Sequence, residues 1–242
     1  AGADAAPAVR LRADVAVVDI EGTTSPTRAV VDTLYPYARA RMADWITAHP
    51  DDPEVRRAVA QTRELIGRPD ADTAEVVAAL DGWLATDAKV APLKTLQGLI
   101  WAHGFAAGEL AGSFFPDVVP ALRRWRAAGV ELAVYSSGSV AAQHGWFGHT
   151  PDGDLRPLFA AYFDLANAGP KTDPGSYRTI AARLGRPPSR LAFLTDRPEE
   201  LAAAAAAGWA VVAVSRPGEP YAAAATPHPQ VSSFDQVQIT AG

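Results

Sequence analysis

Residues 15–24 have the sequence VAVVDIEGTT, in which a short apolar run is followed directly by an acidic segment with a glycine. An apolar run of this length, bounded by polar residues, is typical of a strand buried on both faces of a parallel sheet. Comparable runs recur at residues 132–135, 191–194 and 211–214. The chain is therefore expected to contain a buried sheet built from these runs.

Amphipathic helical patterns separate the later apolar runs. Residues 116–128 place Val119, Leu122 and Trp125 on one stripe, and residues 176–184 carry a similar stripe. Strands that alternate with helices form parallel sheets with right-handed crossovers. The sequence therefore predicts an α/β fold with a Rossmann-like, open parallel sheet.

Residues 25–112 interrupt this alternation with one helical pattern after another. The predicted helices cover residues 28–48, 53–66, 74–86 and 92–101. An all-helical block between the first strand and the rest of a parallel sheet is best explained as an inserted cap domain. The predicted organisation is a flexible tail at residues 1–12, an α/β core at residues 13–24 and 113–242, and a helical cap at residues 25–112.

The composition excludes several classes of function. The chain has 242 residues, no cysteine and a net charge of −5. Thiolate chemistry is therefore excluded, and a general nucleic-acid binder, which needs a basic surface, is disfavoured. No apolar stretch approaches the roughly 18 residues of a membrane span, and the N-terminal residues lack the apolar region of a signal peptide. We expect a cytoplasmic protein without nucleic-acid or membrane partners.

Polar side chains follow the predicted strands directly. Because ligands of open α/β sheets bind beyond the carboxyl ends of the strands, these side chains are the candidate site residues. They are Asp19 and Glu21 after the first run, Ser136 and Ser137 after the second, Asp196 after the third, and Lys171 in the loop before it. If the strands are neighbours, these groups converge on one pocket.

The residue types in this set suit phosphoryl transfer. A carboxylate such as Asp19 can act as a nucleophile and form an aspartyl-phosphate, provided that a cation reduces its repulsion from the phosphate. Mg²⁺ prefers the oxygen ligands that Asp19, Glu21 and Asp196 supply, and residue 21 could bind it through its side chain or its backbone. Lys171 and the two serines would hold the phosphate oxygens, and Glu21 would protonate the leaving oxygen and later activate water.

Each candidate also has an ordinary structural interpretation. Asp19 could be a turn residue, Glu21 a helix cap, and Lys171 a solvated surface residue; Ser137 with Gly138 could form a plain N-cap. Their coincidence at matching strand ends favours the functional interpretation. The five histidines form no zinc-binding pattern, and no GxGxxG follows the first strand, which disfavours a zinc site and a dinucleotide enzyme.

Several longer stretches resemble a known family. They are DIEGTT at 19–24, LKTLQGLIW at 93–101, FFPDVVPALRRW at 114–125, YSSGSVAAQ at 135–143 and FGHTPDGDLRPLF at 147–159. These stretches resemble the haloacid-dehalogenase superfamily of aspartate-nucleophile phosphatases. With Glu21 in place of the more usual second aspartate, they resemble in particular its enolase-phosphatase family of the methionine salvage pathway. The similarity extends from about residue 15 to residue 217.

The resemblance implies an activity and a set of roles. That family converts 2,3-diketo-5-methylthiopentyl-1-phosphate through an enol phosphate to the acireductone, usually as a Mg²⁺-dependent monomer. The resemblance implies that Asp19 and Glu21 are catalytic and bind the metal together with Asp196. It implies substrate binding by Ser136, Ser137 and Lys171.

The chain also departs from the family's pattern. Thr195 replaces the usual serine, Ala202 replaces the acidic residue of an ELDAA motif, the stretch at residues 163–171 is longer, and residues 27–29 differ beside the cap. Two alternatives therefore stay open: a phosphatase of the same fold for another small phosphorylated metabolite, and a catalytically silent metabolite-binding protein. The base that would drive enolisation is not assigned by the sequence.

Overall fold

The computed structural model describes residues 7–242. The described chain forms two compact units, one containing residues 7–30 together with Gly112–Gly242, the other containing Val31–Ala111. The predicted helical insertion covered residues 25–112, and its role as a cap stays a prediction.

Part of the predicted flexible tail is a strand. Residues 1–6 lie outside the described residues, but β1 (Val9–Arg12) pairs in parallel with a strand at Val237–Thr240 near the C-terminus. Val9 is buried and faces Val237 in this register. The prediction of a flexible tail is therefore wrong for Val9–Arg12, because burial and pairing with a distant segment stabilise these residues.

A parallel six-stranded sheet forms the centre of the first unit. Its strands are β2 (Val15–Val18), β3 (Glu131–Tyr135), β4 (Phe159–Phe163), β5 (Leu191–Thr195), β6 (Ala210–Val214) and β7 (Gln230–Val231). The order across the sheet is β4-β3-β2-β5-β6-β7, and the strand that pairs with β1 is β8 (Val237–Thr240). The predicted α/β fold with an open parallel sheet is confirmed.

The register of the central strands aligns their carboxyl ends. All four side chains of β2 are buried, as expected of a strand covered on both faces. Val18 pairs with Val134 of β3 on one side and with Leu194 of β5 on the other. Consequently, the residues that follow β2, β3 and β5 emerge at the same edge of the sheet.

Helices connect the strands and form the second unit. They are α1 (Thr27–Ala48), α2 (Pro53–Leu65), α3 (Thr73–Ala85), α4 (Ala91–Ala106), α5 (Val118–Ala127), α6 (Val140–Gly148), α7 (Pro174–Leu184) and α8 (Pro198–Ala206). The end of α7 shows how sequence fixes these bounds. Gly185 adopts the left-handed conformation there, with φ of 64°, as its position after an amphipathic run predicts. Tyr177 and Ile180 of α7 and Leu201 of α8 belong to the apolar core cluster on the sheet.

The second unit contains most of α1 together with α2, α3 and α4. Asp72 is the N-cap of α3 and forms a capping box with Glu75. The indole nitrogen of Trp101 in α4 donates a hydrogen bond of 2.7 Å to the carbonyl of Leu34 in α1. Throughout residues 7–242, every helix is too short or too polar to cross a membrane.

Candidate active site

Asp19 follows β2 and is buried at the shared edge of the strands. Its backbone nitrogen donates to the carbonyl of Leu194, which continues the pairing of β2 with β5. The carboxylate accepts a 2.6 Å hydrogen bond from Lys171 on Oδ1 and a 3.2 Å hydrogen bond from Thr23 on Oδ2. Both oxygens are thus held, and the carboxylate has a fixed orientation.

A tight turn follows Asp19 and brings the backbone close to Asp196. The amides of Thr23, Thr24 and Ser25 all donate to the carbonyl of Ile20 at 2.9 to 3.1 Å. Gly22 has φ of 76°, a conformation that favours glycine. A Cβ atom at this position would also collide with Oδ2 of Asp196. Glycine is therefore favoured at position 22 for two reasons: its positive φ angle and the close approach of the Asp196 side chain.

Lys171 and Glu200 form a buried ion pair beside Asp19. The ammonium nitrogen lies 2.9 Å from Oε1 of Glu200, and the hydroxyl of Thr195 donates to the same oxygen at 2.9 Å. Burial raises the pKa of Glu200 above its ordinary value, even though the charge of Lys171 opposes this shift. Lys171 therefore lies between the carboxyl groups of Asp19 and Glu200.

Three successive backbone carbonyls hold the loop that carries Lys171. Each accepts a hydrogen bond from a side-chain hydroxyl of the core. The pairs are Tyr135 with Gly169 at 2.5 Å, Ser176 with Pro170 at 2.6 Å, and Tyr177 with Lys171 at 2.7 Å. Although this stretch is longer than in the family's usual pattern, these three hydrogen bonds hold Lys171 in a fixed position.

Asp196 follows β5 and carries an unsatisfied oxygen. Within the described chain its Oδ1 is buried without a hydrogen-bond partner. Burial, and then the charges of Asp19 and Glu200, raise the pKa of Asp196 to about 8. Burial away from water and the two neighbouring carboxylates thus both disfavour the charged form of Asp196.

The arrangement of Asp19 and Asp196 fits a magnesium ion. No group of three or more histidine, cysteine, aspartate or glutamate side chains among residues 7–242 is arranged as a metal site. Mg²⁺ commonly uses only one or two carboxylates and keeps several waters. Asp19 and Asp196 are such a pair of carboxylates, with Oδ1 of Asp196 unsatisfied, and a dication would favour the charged form of Asp196. Glu21 is half-buried in the turn after Asp19, and its backbone forms an isolated β-bridge with that of Ser25.

Ser136 and Ser137 lie in the loop that follows β3, at the same edge of the sheet. The hydroxyl of Ser136 accepts a 3.2 Å hydrogen bond from the amide of Gly138. Gln143 is buried, and its amide nitrogen donates at 2.9 Å to the carbonyl of Gly138 and at 2.9 Å to that of Phe163. The loop is therefore fixed from within the core.

Helix α6 begins directly after this loop. Its N-cap is Ser139, which accepts a hydrogen bond from the amide of Ala142 at 3.2 Å, so Ser137 with Gly138 is not the cap. Asp164 accepts a further hydrogen bond from the amide of Val140 at 3.0 Å. Ser137 therefore precedes the helix and does not cap it.

Comparisons with known proteins agree with this geometry. The family model of the haloacid dehalogenase-like hydrolases matches residues 13–208. An enolase-phosphatase E1 of Frankia alni is 60% identical to this chain and covers 96% of it and 98% of its own length. An enolase-phosphatase E1 of Streptomyces avermitilis is 59% identical, covering 93% of this chain and 95% of its own. The chain belongs to the enolase-phosphatase family of these hydrolases.

A solved structure has the same fold over most of the chain. The UTR4 protein of Saccharomyces cerevisiae superposes with a TM-score of 0.76 at 30% identity, covering 92% of this chain and 98% of its own. Because of its enolase-phosphatase relatives and its match to the hydrolase family model, the present chain is a phosphatase enzyme. A catalytically silent binding protein, one of the alternatives from the sequence, does not agree with this assignment.

Two residues that differ from the enolase-phosphatase family pattern are Ala202 and Thr195. Ala202 is exposed on α8 whereas Glu200 is buried, so a carboxylate at position 202 would point away from the buried charges. Thr195 keeps the hydroxyl of the usual serine and uses it as a donor to Glu200. Neither departure removes a group that contacts Asp19 or Lys171.

Some residues of the site were not identified as such from the sequence. Thr23 and Gln143 lie in the motifs DIEGTT and YSSGSVAAQ, but a hydroxyl or an amide in a loop has no distinctive spacing. The direct ion pair of Glu200 with Lys171 was also missed, because acidic residues in the first turn of a helix are common for dipole reasons. The feature that could have identified Glu200 is its position as a charged residue on the buried face of α8.

Proposed function

We propose that the protein is a Mg²⁺-dependent enolase-phosphatase that converts 2,3-diketo-5-methylthiopentyl-1-phosphate to the acireductone in methionine salvage. The observation that carries this proposal is the buried Asp19 carboxylate, which is held by Lys171 beside an unsatisfied oxygen of Asp196. The relatives are named enolase-phosphatase E1, and the substrate is the one that the resemblance of the sequence motifs to that family implies. Cytoplasmic location and a monomeric state are part of the same proposal.

Asp19 is the proposed nucleophile. One carboxylate oxygen attacks phosphorus, the bond from phosphorus to the ester oxygen breaks, and Asp19 becomes an aspartyl-phosphate. Glu21 gives its proton to the departing oxygen. Lys171 and the hydroxyls of Ser136 and Ser137 bind the phosphoryl oxygens, and Lys171 also stabilises the charge that develops on them. A bound Mg²⁺ would lower the electrostatic repulsion between the carboxylate and the phosphate.

Hydrolysis of the aspartyl-phosphate completes the cycle. Water attacks phosphorus, Glu21 accepts the proton from this water, and the bond from phosphorus to the Asp19 oxygen breaks. Inorganic phosphate is released and both carboxylic groups return to their starting forms. The same glutamate thus serves as an acid in the first step and as a base in the second.

Enolisation precedes these steps for the diketo substrate. It requires a base that removes a proton from the carbon beside a carbonyl and a donor that stabilises the resulting enolate. Lys171 is a buried cation whose pKa stays above its usual value, since the charges of Asp19 and Glu200 outweigh the effect of burial. It is therefore available as the donor, whereas the base is not assigned.

The decisive experiment compares substrates and follows both products. The purified protein with Mg²⁺ is incubated with the diketo phosphate and, separately, with a panel of sugar phosphates, while phosphate release and acireductone absorbance are recorded. We expect rapid release of phosphate and formation of acireductone only from the diketo phosphate. Faster turnover of another ester without acireductone would instead identify a phosphatase for a different small metabolite.

The variant Asp19→Asn distinguishes catalysis at this site from a contaminating activity. The amide keeps the shape of the carboxylate but is a much weaker nucleophile, so phosphate release is expected to fall to background. Asp70→Asn is the matched control, because Asp70 is exposed and its side chain is 86% accessible. Equal activity of the Asp19 variant and the parent would rule out Asp19 as the nucleophile.

A further inference from the structure

Arg216 is a buried arginine that follows β6 and forms a two-pronged ion pair with Asp117. Its two terminal nitrogens lie 2.7 and 2.9 Å from the two carboxylate oxygens of Asp117 at the start of α5. The amide of Phe234 donates to the same carboxylate at 2.8 Å. The side chains of Arg216 and Asp117 are therefore both held in fixed positions.

The remaining donor of the guanidinium group reaches the loop that carries the nucleophile. Nε of Arg216 donates to the carbonyl of Thr23 at 2.9 Å, and the hydroxyl of Thr23 donates to Oδ2 of Asp19 at 3.2 Å. The guanidinium group also lies 4.0 Å above the ring of Phe115, whose amide donates to the carbonyl of Thr24 at 3.0 Å. A continuous path of contacts thus connects Arg216 to the attacking carboxylate.

Glu219 holds the other end of the same loop. Its amide donates to the carbonyl of Arg216 at 3.2 Å, so the two residues belong to one turn. Its carboxylate accepts a hydrogen bond from the amide of Thr27 at 3.2 Å, at the start of α1. One short segment therefore contacts the loop after β2 both at Thr23 and at Thr27.

A buried ion pair contributes little to stability compared with apolar packing of the same volume. A planar group with fixed donors instead gives geometric precision, and misplacement of a reacting group by about 1 Å can cost about a hundredfold in rate. We infer that Arg216 is a positioning residue for Asp19, acting through Thr23 with Asp117 as its anchor. This inference rests on the proposed role of Asp19 as the nucleophile.

The test compares Arg216→Ala with the matched variant Arg190→Ala. Arg190 forms the same two-pronged pair, with Asp14, at 2.7 and 3.2 Å, but next to the amino end of β2. We expect kcat for phosphate release to fall roughly tenfold to a hundredfold in Arg216→Ala with little change in KM. Arg190→Ala should keep the parent kcat at temperatures where both variants are folded by circular dichroism. Added guanidinium ion should partly restore kcat in Arg216→Ala alone.

A second variant keeps the inference testable if Arg216→Ala does not fold. Arg216→Lys keeps the buried charge opposite Asp117, but a single ammonium group cannot reproduce the planar fork that holds Thr23 as well. We expect the same loss of kcat at unchanged KM. Parent kcat in Arg216→Lys, or an equal loss in Arg190→Ala, would overturn the inference. If the parent itself released no phosphate, the proposed function would be at fault and not the role of Arg216.

Discussion

The ammonium nitrogen of Lys171 lies 2.6 Å from Oδ1 of Asp19, although 152 positions separate the two residues in the chain. The contact exists because hydroxyl groups of the core fix the loop between β4 and α7, which carries Lys171. The buried ammonium group orients the carboxylate, and in the proposed mechanism it also supplies positive charge for an incoming phosphate. Removing that group tests both effects.

Lys171→Met is expected to reduce kcat about 10²- to 10³-fold, because it removes the buried positive charge directed at the phosphoryl oxygens. It should also lower the free energy of unfolding by about 3 kcal/mol, since Glu200 loses its partner in a buried site. Phosphate release and urea unfolding measure the two effects. Lys89→Met, at an exposed position of the helical unit, is the control and should match the parent. Unchanged kcat in Lys171→Met would contradict the account.

Asp196→Asn is expected to abolish stabilisation by Mg²⁺. A ligand that binds only the folded state raises Tm by mass action, and the unsatisfied Oδ1 of Asp196 is the oxygen offered to the ion. Thermal unfolding with and without MgCl₂ should show a rise in Tm for the parent and for Asp70→Asn, but none for Asp196→Asn. A similar rise in all three proteins would place the ion elsewhere.

Gly22→Ala tests the close approach of the turn to Asp196. The backbone strain alone should cost roughly 1–2 kcal/mol of stability, because Gly22 has φ of 76°. Gly185→Ala carries a similar strain, with φ of 64°, but a Cβ atom there would meet nothing within 4 Å. Gly22→Ala should lose more stability than Gly185→Ala because its Cβ atom also collides with Asp196, and only Gly22→Ala should lose phosphatase activity and Mg²⁺ binding. Full activity in Gly22→Ala would show that Asp196 tolerates displacement.

Asp117→Asn tests the pH dependence of the pair with Arg216. Burial acts to raise the pKa of Asp117, but hydrogen bonds from Arg216 and from the amide of Phe234 outweigh it and hold the pKa below its ordinary value. The unfolded chain therefore takes up a proton near pH 4, and the folded chain only at lower pH. The contribution of this carboxylate is present above about pH 4 and is lost as the pH falls through the lowered pKa.

The expected difference between parent and Asp117→Asn at neutral pH is about 2 kcal/mol, less than for a fully buried pair because Asp117 is partly solvated. Urea unfolding across the acidic range should show this difference shrinking as the pH falls below about 4. A difference that stays constant down to the acid unfolding of both proteins would contradict the lowered pKa of Asp117.

The buried centre of the sheet was predictable because its strands are short, wholly apolar and bounded by polar residues, as in β2. Strand β4 was not predicted, since three of its five residues, including two alanines, are exposed or half-buried. Strand β1 was assigned to a tail because its polar residues alternate with only two apolar ones, and the pairing that orders it comes from the far end of the chain. Long-range pairing of this kind leaves no local signal.

The site was predictable where residue type and strand end coincide, as for Asp19 and Asp196. The supporting contacts were not, because their donors reach the site only after folding. Arg216, for example, follows β6 and contacts Thr23 through a backbone carbonyl, which any residue could offer. The catalytic, metal-binding and substrate-binding roles of all the candidates stay predictions; these candidates are Asp19, Glu21, Ser136, Ser137, Lys171 and Asp196.

The central claim is that Asp19 becomes phosphorylated, and chemical trapping tests it most directly. The parent enzyme is mixed with substrate and Mg²⁺, quenched within one turnover and reduced with borohydride, which converts an aspartyl-phosphate to homoserine. Peptide mass spectrometry is then expected to find homoserine at position 19 alone. Homoserine at another aspartate, or none while phosphate is released in the same samples, would contradict the account.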